Sequence, residues 1–259
     1  MMQSKVGEYP FTVEPFHCDF SNHLFLSCLS NDLLNASDYH SESRGYGISY
    51  LNARHRTWVL SRLAVEMNDM PLAYDKISIS TWVEAAFRFF TSRNYAITSQ
   101  DHQTVYGYGR SIWAMIDTDT RQPVDILQIQ GGLIKDYIET ERECPIAKPG
   151  RVAISKDAEL VRTVTMNYHD IDVNGHVNSI KYIEHVLDLF DLEWYRSHRV
   201  KRFDIAYVAE SHAGDELCFY MEKVASKGAD SEEEYLVRIV KRGSKDSEVV
   251  RCSIKFVKI

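Results

Sequence analysis

The chain has 259 residues, of which 44% are hydrophobic and 26% charged, a balance typical of a folded protein of one large or two ordinary domains. Its formal net charge of −7 argues against a general affinity for nucleic acid, because the phosphates would be repelled. No stretch approaches the roughly 18 uncharged apolar residues that a membrane span needs. The N-terminus also lacks the apolar core of a signal peptide, so we expect a cytoplasmic protein.

The sequence contains no pattern typical of a bound cofactor, a structural metal or a disulfide framework. The cysteines are odd in number, scattered and never arranged as CxxC. There is no Gly-rich phosphate loop of the GxGxxG or GxxxxGK type. We therefore expect no cofactor and no metal site.

The first half reads as a strand, a helix and four antiparallel strands. The segment FTVEPFHCDF looks extended, and the leucines of NHLFLSCLSNDLLNASDYH then recur at helical spacing. Four stretches rich in β-branched and aromatic residues follow, separated by Asp, Gly, Pro or Asn. These predicted strands are TWVLSRLAVEM, YDKISISTWVEAAFR, FTSRNYAITSQ and TVYGYGRSIWAMID.

The second half repeats this order. A strand, ELVRTVTMNYHD, precedes a helix, HVNSIKYIEHVLDLFDLEWY, and four strands follow: KRFDIAYVAE, DELCFYMEKVA, EYLVRIVKR and EVVRCSIKFVKI. FHCDFSNHL echoes YHDIDVNGHV, which matches His17 to His169. A shared element order is what a duplicated domain leaves behind. We predict a first unit over 1–125, a linker without strand pattern over 126–155, and a second unit over 156–259.

The fold class that follows is α+β. A long helix and a run of antiparallel strands bury their apolar faces together most economically if the sheet wraps around the helix. Two such units in tandem are therefore predicted. The buried stripe of the second helix is expected to contain Val177, Ile180, Ile183 or Glu184, Leu187 and Phe190.

Acid, base and amide side chains are concentrated where the second unit's first strand meets its helix. We predict Asn174 as the helix cap, with Gly175 permitting a tight turn. A cap needs only one polar side chain, whereas this turn also supplies Asp172 and His176. Free N–H groups at the helix start, those of Gly175 and Val177, would suit the oxyanion of an attacked carbonyl. This combination favours hydrolysis of an acyl group, with a carboxylate contributed from elsewhere.

The segment DIDVNGHVNSIKYIEHVLD is similar to the DVNxHVNxxKY signature of the acyl-acyl carrier protein thioesterases. The resemblance covers nearly the whole chain, including WVLSRLAVEM in the first half. Members of this family have a double hotdog fold, so a tandem hotdog is implied. The resemblance also implies hydrolysis of the thioester of fatty acyl-acyl carrier protein (ACP), which releases the free fatty acid and terminates chain elongation in fatty acid biosynthesis.

By this resemblance the family's catalytic Asp, Asn and His match Asp172, Asn174 and His176, and its catalytic Glu matches Glu210. Family members often have Cys after that Glu, whereas this chain has Ser211. Attack by water, with Glu210 as general base assisted by His176, is therefore expected. The sequence leaves open which of the two takes the proton.

The resemblance further implies that the first unit houses the acyl chain, along its helix and the strands from Trp58 to Val83. Its own helix start, with Asn22 and His23, lacks the Gly and HVN and is expected to be catalytically degenerate. The carrier protein is acidic, so a protein of negative net charge needs a local basic face. The predicted docking residues are Arg196, Arg199, Lys201 and Arg202, with Arg54 and Arg56. Either a monomer or a homodimer is compatible with two fused units.

Three other functions remain open. An acyl-CoA thioesterase would use the same chemistry on a nucleotide-bearing carrier. A hotdog dehydratase would show an HFPG-like turn, which the sequence lacks. A non-catalytic acyl-binding or regulatory hotdog protein would keep the acyl site without needing the four polar residues of the predicted catalytic site.

Overall fold

A computed structural model of the protein describes residues 3–225 and 232–259. The chain divides into two compact units, Met1–Lys148 and Pro149–Ile259. Each unit is an antiparallel β-sheet with a helix packed against it, so the α+β tandem hotdog fold predicted from the sequence is confirmed.

From residue 3 onward, where the structure describes the first unit, it contains five strands, and its long helix packs against two of them. Its elements are β1 (Val6–Thr12), α1 (Leu26–Ser43), α2 (Ile48–Asn52), β2 (Arg56–Met67), β3 (Lys76–Ala86), β4 (Phe90–Ser99) and β5 (Val105–Asp117). The strands pair in the order β1-β3-β4-β5-β2, all antiparallel. Helix α1 packs against β1 and β3, with Leu29, Leu33 and Ala36 fully buried.

The second unit repeats this strand order. Its elements are β6 (Glu159–Thr165), α3 (Ser179–Leu187), α4 (Leu192–Tyr195), β7 (His198–Tyr207), β8 (Glu216–Lys223), β9 (Glu232–Lys241) and β10 (Ser247–Lys258). The strands pair as β6-β8-β9-β10-β7, again all antiparallel. Val177, Ile180 and Ile183 of the predicted apolar stripe are buried, whereas Leu187 and Phe190 are only partly buried. Val186, which the predicted stripe did not include, is buried as well.

The segment predicted as a linker, 126–155, divides between the two units. A 3₁₀ region at Ile126–Tyr137 buries Ile129 and Ile134 in a cluster with Met115 of the first unit. The boundary at Lys148/Pro149 thus lies within the predicted linker, and these apolar contacts place the beginning of that segment in the first unit.

The second helix is shorter than predicted and is broken in two. Helix α3 ends at Leu187, and α4 starts at Leu192 with a new cap. The Asp191 carboxylate provides that cap by accepting the Trp194 N–H at 2.7 Å. Apolar residues keep their helical spacing across the break, and the sequence pattern therefore did not indicate it.

The two strands that precede the long helices also end sooner than predicted. Pro15 begins a 3₁₀ turn, Pro15–His17, in the first unit. Tyr168–Asp170 forms the matching turn in the second unit, where the Asn167 and Asp170 side chains each accept the other residue's backbone N–H.

The alignment of the two units by structure differs by one residue from the alignment suggested by sequence. When the two 3₁₀ turns are matched, His17 corresponds to Asp170 rather than to His169. In the second unit, Asp170 Oδ1 lies 3.1 Å from His185 Nε2, and both side chains are mostly buried. The corresponding helix residue in the first unit is Asp32. Acid and base have therefore exchanged places between the two copies.

Within the part of the chain that the structure describes, no helix is long and apolar enough to cross a membrane. The same residues contain no group of three or more His, Cys, Asp or Glu side chains that could hold a metal ion.

Asp32 is expected to make stability depend on pH. Burial raises its pKa to about 6, while His17 lowers it and Glu14 raises it further. A carboxyl group whose pKa is higher in the folded than in the unfolded chain destabilises the fold once it ionises, so this cost develops as pH rises from about 4 to above 6. Asp32→Asn should increase the free energy of unfolding at pH 7 by about 1–3 kcal/mol, and the gain should shrink toward pH 4.

Urea denaturation at both pH values measures this difference. Asp136→Asn is the matched control, because Asp136 is exposed and its substitution should leave stability unchanged. A D32N variant that is less stable than the wild type at pH 7 would contradict the prediction.

Candidate active site

One carboxylate organises the turn between β6 and α3. Asp172 Oδ1 accepts the backbone N–H of Asn174 at 2.8 Å and that of His176 at 3.3 Å. Gly175, at a φ of +81°, donates its N–H to the Asp172 carbonyl at 3.0 Å. That φ lies in the left-handed region, which glycine adopts without steric cost. Asp172 thus holds Asn174 and His176 through their main chain.

The helix begins later than predicted. Helix α3 starts at Ser179, and its cap is Asn178, whose side chain accepts the Ile180 N–H at 2.9 Å. The prediction of Asn174 as the cap is therefore wrong. Asn174 lies within the Asp172 turn and is exposed, which leaves its amide facing solvent.

The backbone donors predicted for an oxyanion are already engaged. The Val177 N–H donates to the Ser211 carbonyl at 2.8 Å, and the Gly175 N–H donates to the Asp172 carbonyl. The expectation that Gly175 and Val177 supply free N–H groups is therefore wrong. These two N–H groups are therefore not available to an oxyanion at this turn.

His176 and Glu210 meet at the centre of the site. His176 Nε2 lies 3.4 Å from Glu210 Oε2, with the two side chains 26% and 37% exposed. The pair is thus partly shielded and still reachable by water. The structure brings together the four residues predicted to be catalytic, with Asp172, Asn174 and His176 before α3 and Glu210 after β7.

Three residues that sequence reasoning missed hold the loop that carries Glu210. Asp215 Oδ2 accepts the His212 N–H at 2.8 Å and lies 3.4 Å from Lys241 Nζ. Lys241 also donates to the Glu210 carbonyl at 3.3 Å. The His212 ring packs edge-on against the His176 ring, with centroids 5.0 Å apart. The stretch ESHAGD carried a signal for His212, an imidazole close after the predicted base.

Ser211 is fully buried. It occupies the position at which the resembling family often has cysteine. A hydroxyl that is excluded from solvent is poorly placed to attack a carbonyl bound at an open site. Its burial therefore favours water as the nucleophile.

The first unit contains the same turn. Asp19 Oδ1 accepts the N–H groups of Ser21 and His23 at 2.8 and 3.1 Å. Asn22, at a φ of +69°, takes the place of the glycine. Ser21 Oγ lies 2.9 Å from His23 Nδ1, so a hydroxyl contacts this imidazole.

Met70 occupies the position of Glu210 in the first unit. The Leu24 N–H donates to the Pro71 carbonyl at 2.9 Å, just as the Val177 N–H donates to the Ser211 carbonyl in the second unit. Pro71 therefore corresponds to Ser211, and Met70 to Glu210. Among the residues that the structure describes, no carboxylate pairs with the His23 ring. The first turn thus keeps the geometry of the second but lacks its acid-base pair.

The basic residues predicted to dock the carrier differ in their surroundings. Arg202 is only 9% exposed and donates to Asp204 from Nε at 2.6 Å and from Nη2 at 2.9 Å. Arg202 is therefore wrong as a docking residue, because burial and pairing withdraw its charge. Arg196 forms an exposed ion pair of 3.0 Å with a neighbouring glutamate. Arg199 is exposed and Lys201 is partly exposed.

Comparison with known proteins points to one family. The chain matches the acyl-ACP thioesterase N-terminal domain over residues 5–129 and the acyl-ACP thioesterase C-terminal domain over residues 154–258. The crystal structure of an acyl-ACP thioesterase from Bacteroides thetaiotaomicron VPI-5482 is 47% identical in sequence, with a TM-score of 0.87. That match covers 97% of this chain and 98% of the other.

More distant relatives share the fold. The 12:0-ACP thioesterase from Umbellularia californica has a TM-score of 0.83 at 19% identity, over 98% of this chain and 95% of that one. A chloroplastic palmitoyl-acyl carrier protein thioesterase from Gossypium hirsutum is 23% identical over 210 residues, which is 77% of this chain and 51% of that protein. The chain spans about half the length of the curated relatives it matches.

The paired turns offer a matched test of Asp172. Asp172→Ala and Asp19→Ala each remove a carboxylate that accepts two backbone N–H groups. Both should lower the free energy of unfolding by about 1–3 kcal/mol. Only D172A should also lower kcat for a reaction catalysed by the His176–Glu210 pair, by on the order of 10²-fold, because it alone displaces His176 from the Glu210 carboxylate. Equal losses of kcat in the two variants would show that the turn acts only through stability.

Proposed function

Because the chain belongs to the acyl-ACP thioesterase family, we propose that it hydrolyses the thioester of a fatty acyl chain carried on ACP, releasing the free fatty acid. The observation that carries this proposal is the 3.4 Å contact of His176 with Glu210. The first unit repeats the surrounding turn but has Met70 at the carboxylate position, so the contact is not a by-product of the duplicated fold.

In this proposal the His176–Glu210 pair activates a water molecule. The water oxygen bonds to the acyl carbon while one proton passes to the pair, with either the imidazole or the carboxylate as acceptor. A positioned general base typically contributes about 10²–10⁴ in rate. As the carbon–sulfur bond breaks, that proton passes to the leaving sulfur. A free acid and a carrier thiol are formed, and the pair returns to its starting charge.

A side chain stabilises the oxyanion in this mechanism, and the N–H groups of Gly175 and Val177, which bond to carbonyls, take no part. The exposed side-chain amide of Asn174 is the proposed donor. Asp172 fixes the position of this residue by accepting the Asn174 backbone N–H. A single oxyanion donor is typically worth about 10²–10³ in rate. His212, 55% exposed and edge-on to His176, flanks the same opening.

We further propose that the first unit receives the acyl chain. A cavity of about 240 Å³ is formed there by α1 and strands β2 to β5. Trp58 and Val83, which bound the segment predicted to house the chain, both line it. Leu34, Trp113 and Ile134 add apolar surface. Each methylene buried in such a cavity contributes about 0.8 kcal/mol, which favours binding of an alkyl chain.

Arg199 and Lys201 are the proposed contacts for an acidic carrier, since Arg202 is buried. Both lie on β7, in the same unit as the His176–Glu210 pair. With a net charge of −7, the protein would otherwise repel such a partner. A cytoplasmic location and a monomeric or homodimeric state remain predictions from the sequence.

Hydrolysis of a saturated acyl series on ACP and on coenzyme A tests the proposed function. We expect faster release from ACP, with kcat lowered about 10²–10⁴-fold in Glu210→Gln and His176→Asn. His23→Asn is the matched control and should leave kcat unchanged. Equal rates on both carriers would indicate a general acyl thioesterase, including the acyl-CoA alternative. Acyl binding without turnover would indicate a non-catalytic acyl-binding protein.

The same assay examines carrier docking through Arg199→Glu. Charge reversal should raise the KM for acyl-ACP with kcat preserved, because it weakens encounter with an acidic partner. An unchanged KM would remove Arg199 from the docking surface and leave the hydrolytic function intact.

A further inference from the structure

The cavity of the first unit has one wall that is unexpectedly polar for an alkyl chain. Ser37, Asp38 and Ser41 of α1 line it together with Thr91 and Arg93 of β4. The four other than Asp38 are at least 95% buried. Buried polar groups of this number must either satisfy one another or contact a ligand.

Arg93 is the charged group on this wall. It is 4% exposed and donates from Nη1 to Thr81 Oγ1 and from Nη2 to Ser41 Oγ, each at 3.1 Å. The Tyr46 hydroxyl also lies against the guanidinium. All these neighbours are neutral, and no carboxylate forms an ion pair with Arg93 among the residues that the structure describes. A buried cation without a counter-ion is costly unless something polar faces it.

The positive field of this guanidinium extends to its neighbours. Burial, reinforced by Arg93 and Arg44, lowers the pKa of His40 to about 2 and keeps that imidazole uncharged. Asp38 is only partly buried, and burial together with Glu42 raises its pKa, although the Ile48 N–H, which donates to this carboxylate, and Arg93 act in the opposite direction. The wall therefore carries one cation, Arg93, and one separate carboxyl group, Asp38.

The two serine hydroxyl groups of the wall already bond to the protein. Ser37 Oγ donates to the Leu33 carbonyl and lies 2.6 Å from the Tyr95 hydroxyl. Ser41 Oγ donates to the Ser37 carbonyl at 3.0 Å. Thr81 Oγ1 likewise donates to a backbone carbonyl at 3.0 Å. These hydroxyl groups fix the guanidinium, which leaves a donor, Arg93, and an acceptor, Asp38, facing the cavity.

We propose that the cavity selects acyl chains that carry a hydroxyl group, which accepts a hydrogen bond from Arg93 and donates one to Asp38. The inference rests on the proposed function, in which the first unit receives the acyl chain. A hydroxyl group matches both partners at once, whereas a second carboxylate would be repelled by Asp38. A plain methylene chain would leave the guanidinium facing hydrocarbon. Sites built to bond a substrate hydroxyl discriminate strongly against analogues that lack it.

Competition between acyl-ACP substrates of equal length tests this selection. One substrate is saturated, and the others each carry one hydroxyl group, moved stepwise along the chain. We expect one positional isomer to exceed the saturated chain in kcat/KM by about tenfold or more. Asp38→Asn and Ser41→Ala should both reduce that ratio. Arg93→Met should abolish the ratio, and Arg88→Met, at an exposed arginine close by in the chain, is the matched control.

Binding of the free acids separates this inference from the proposed function. Trp58 and Trp113 line the cavity, so their fluorescence reports occupancy without turnover. Tighter binding of one hydroxylated acid than of the saturated acid, lost in R93M or D38N, supports the inference even if no thioester is cleaved. Equal affinity and equal kcat/KM for every isomer and the saturated chain would overturn the proposed selection for a hydroxyl group. If those substrates were nevertheless hydrolysed, the proposed thioesterase function would still hold.

Discussion

The carboxylate of Asp172 is the constraint on which the site depends. By accepting two backbone N–H groups, it bends the chain between β6 and α3 and presents the His176 ring to Glu210. The Gly175 and Val177 N–H groups bond to carbonyls and are therefore not available to an oxyanion. In the proposed mechanism the Asn174 side chain stabilises the developing charge, which makes the chemistry sensitive to the placement of this one amide.

Duplication explains how one protein keeps two such turns and gives them different roles. Asp19 and His23 reproduce the turn of the second unit, yet Met70 stands where Glu210 supplies a carboxylate. Freed from acid-base chemistry, the first copy retains the cavity between its helix and sheet. In the proposed division of labour, the first unit binds the acyl chain and the second cleaves its thioester. Arg93 gives the cavity a chemical preference beyond length.

Strong periodicity made much of the fold predictable: alternating strands and the apolar face of α1 appear where the sequence indicated them. Local competition between similar side chains was not predictable. Asn174 and Asn178 are both suitable caps, and only the Asp172 turn decides between them. Long-range pairing was equally hidden, because the burial of Arg202 depends on tertiary packing. Lys241 reaches the Glu210 loop from a strand that lies well beyond it in the chain.

The His176–Glu210 pair is proposed to direct water onto the acyl carbon without an acyl-enzyme intermediate. The decisive measurement is single-turnover hydrolysis in H₂¹⁸O, with mass spectrometry of both the released acid and the protein. Direct attack by water puts label in the carboxyl group of the acid, leaves the protein unmodified and puts no label in the peptide that contains Glu210. An acylated protein, or label in that peptide after one turnover, would rule this mechanism out, because the first requires a nucleophile on the protein and the second requires the Glu210 carboxylate itself to attack.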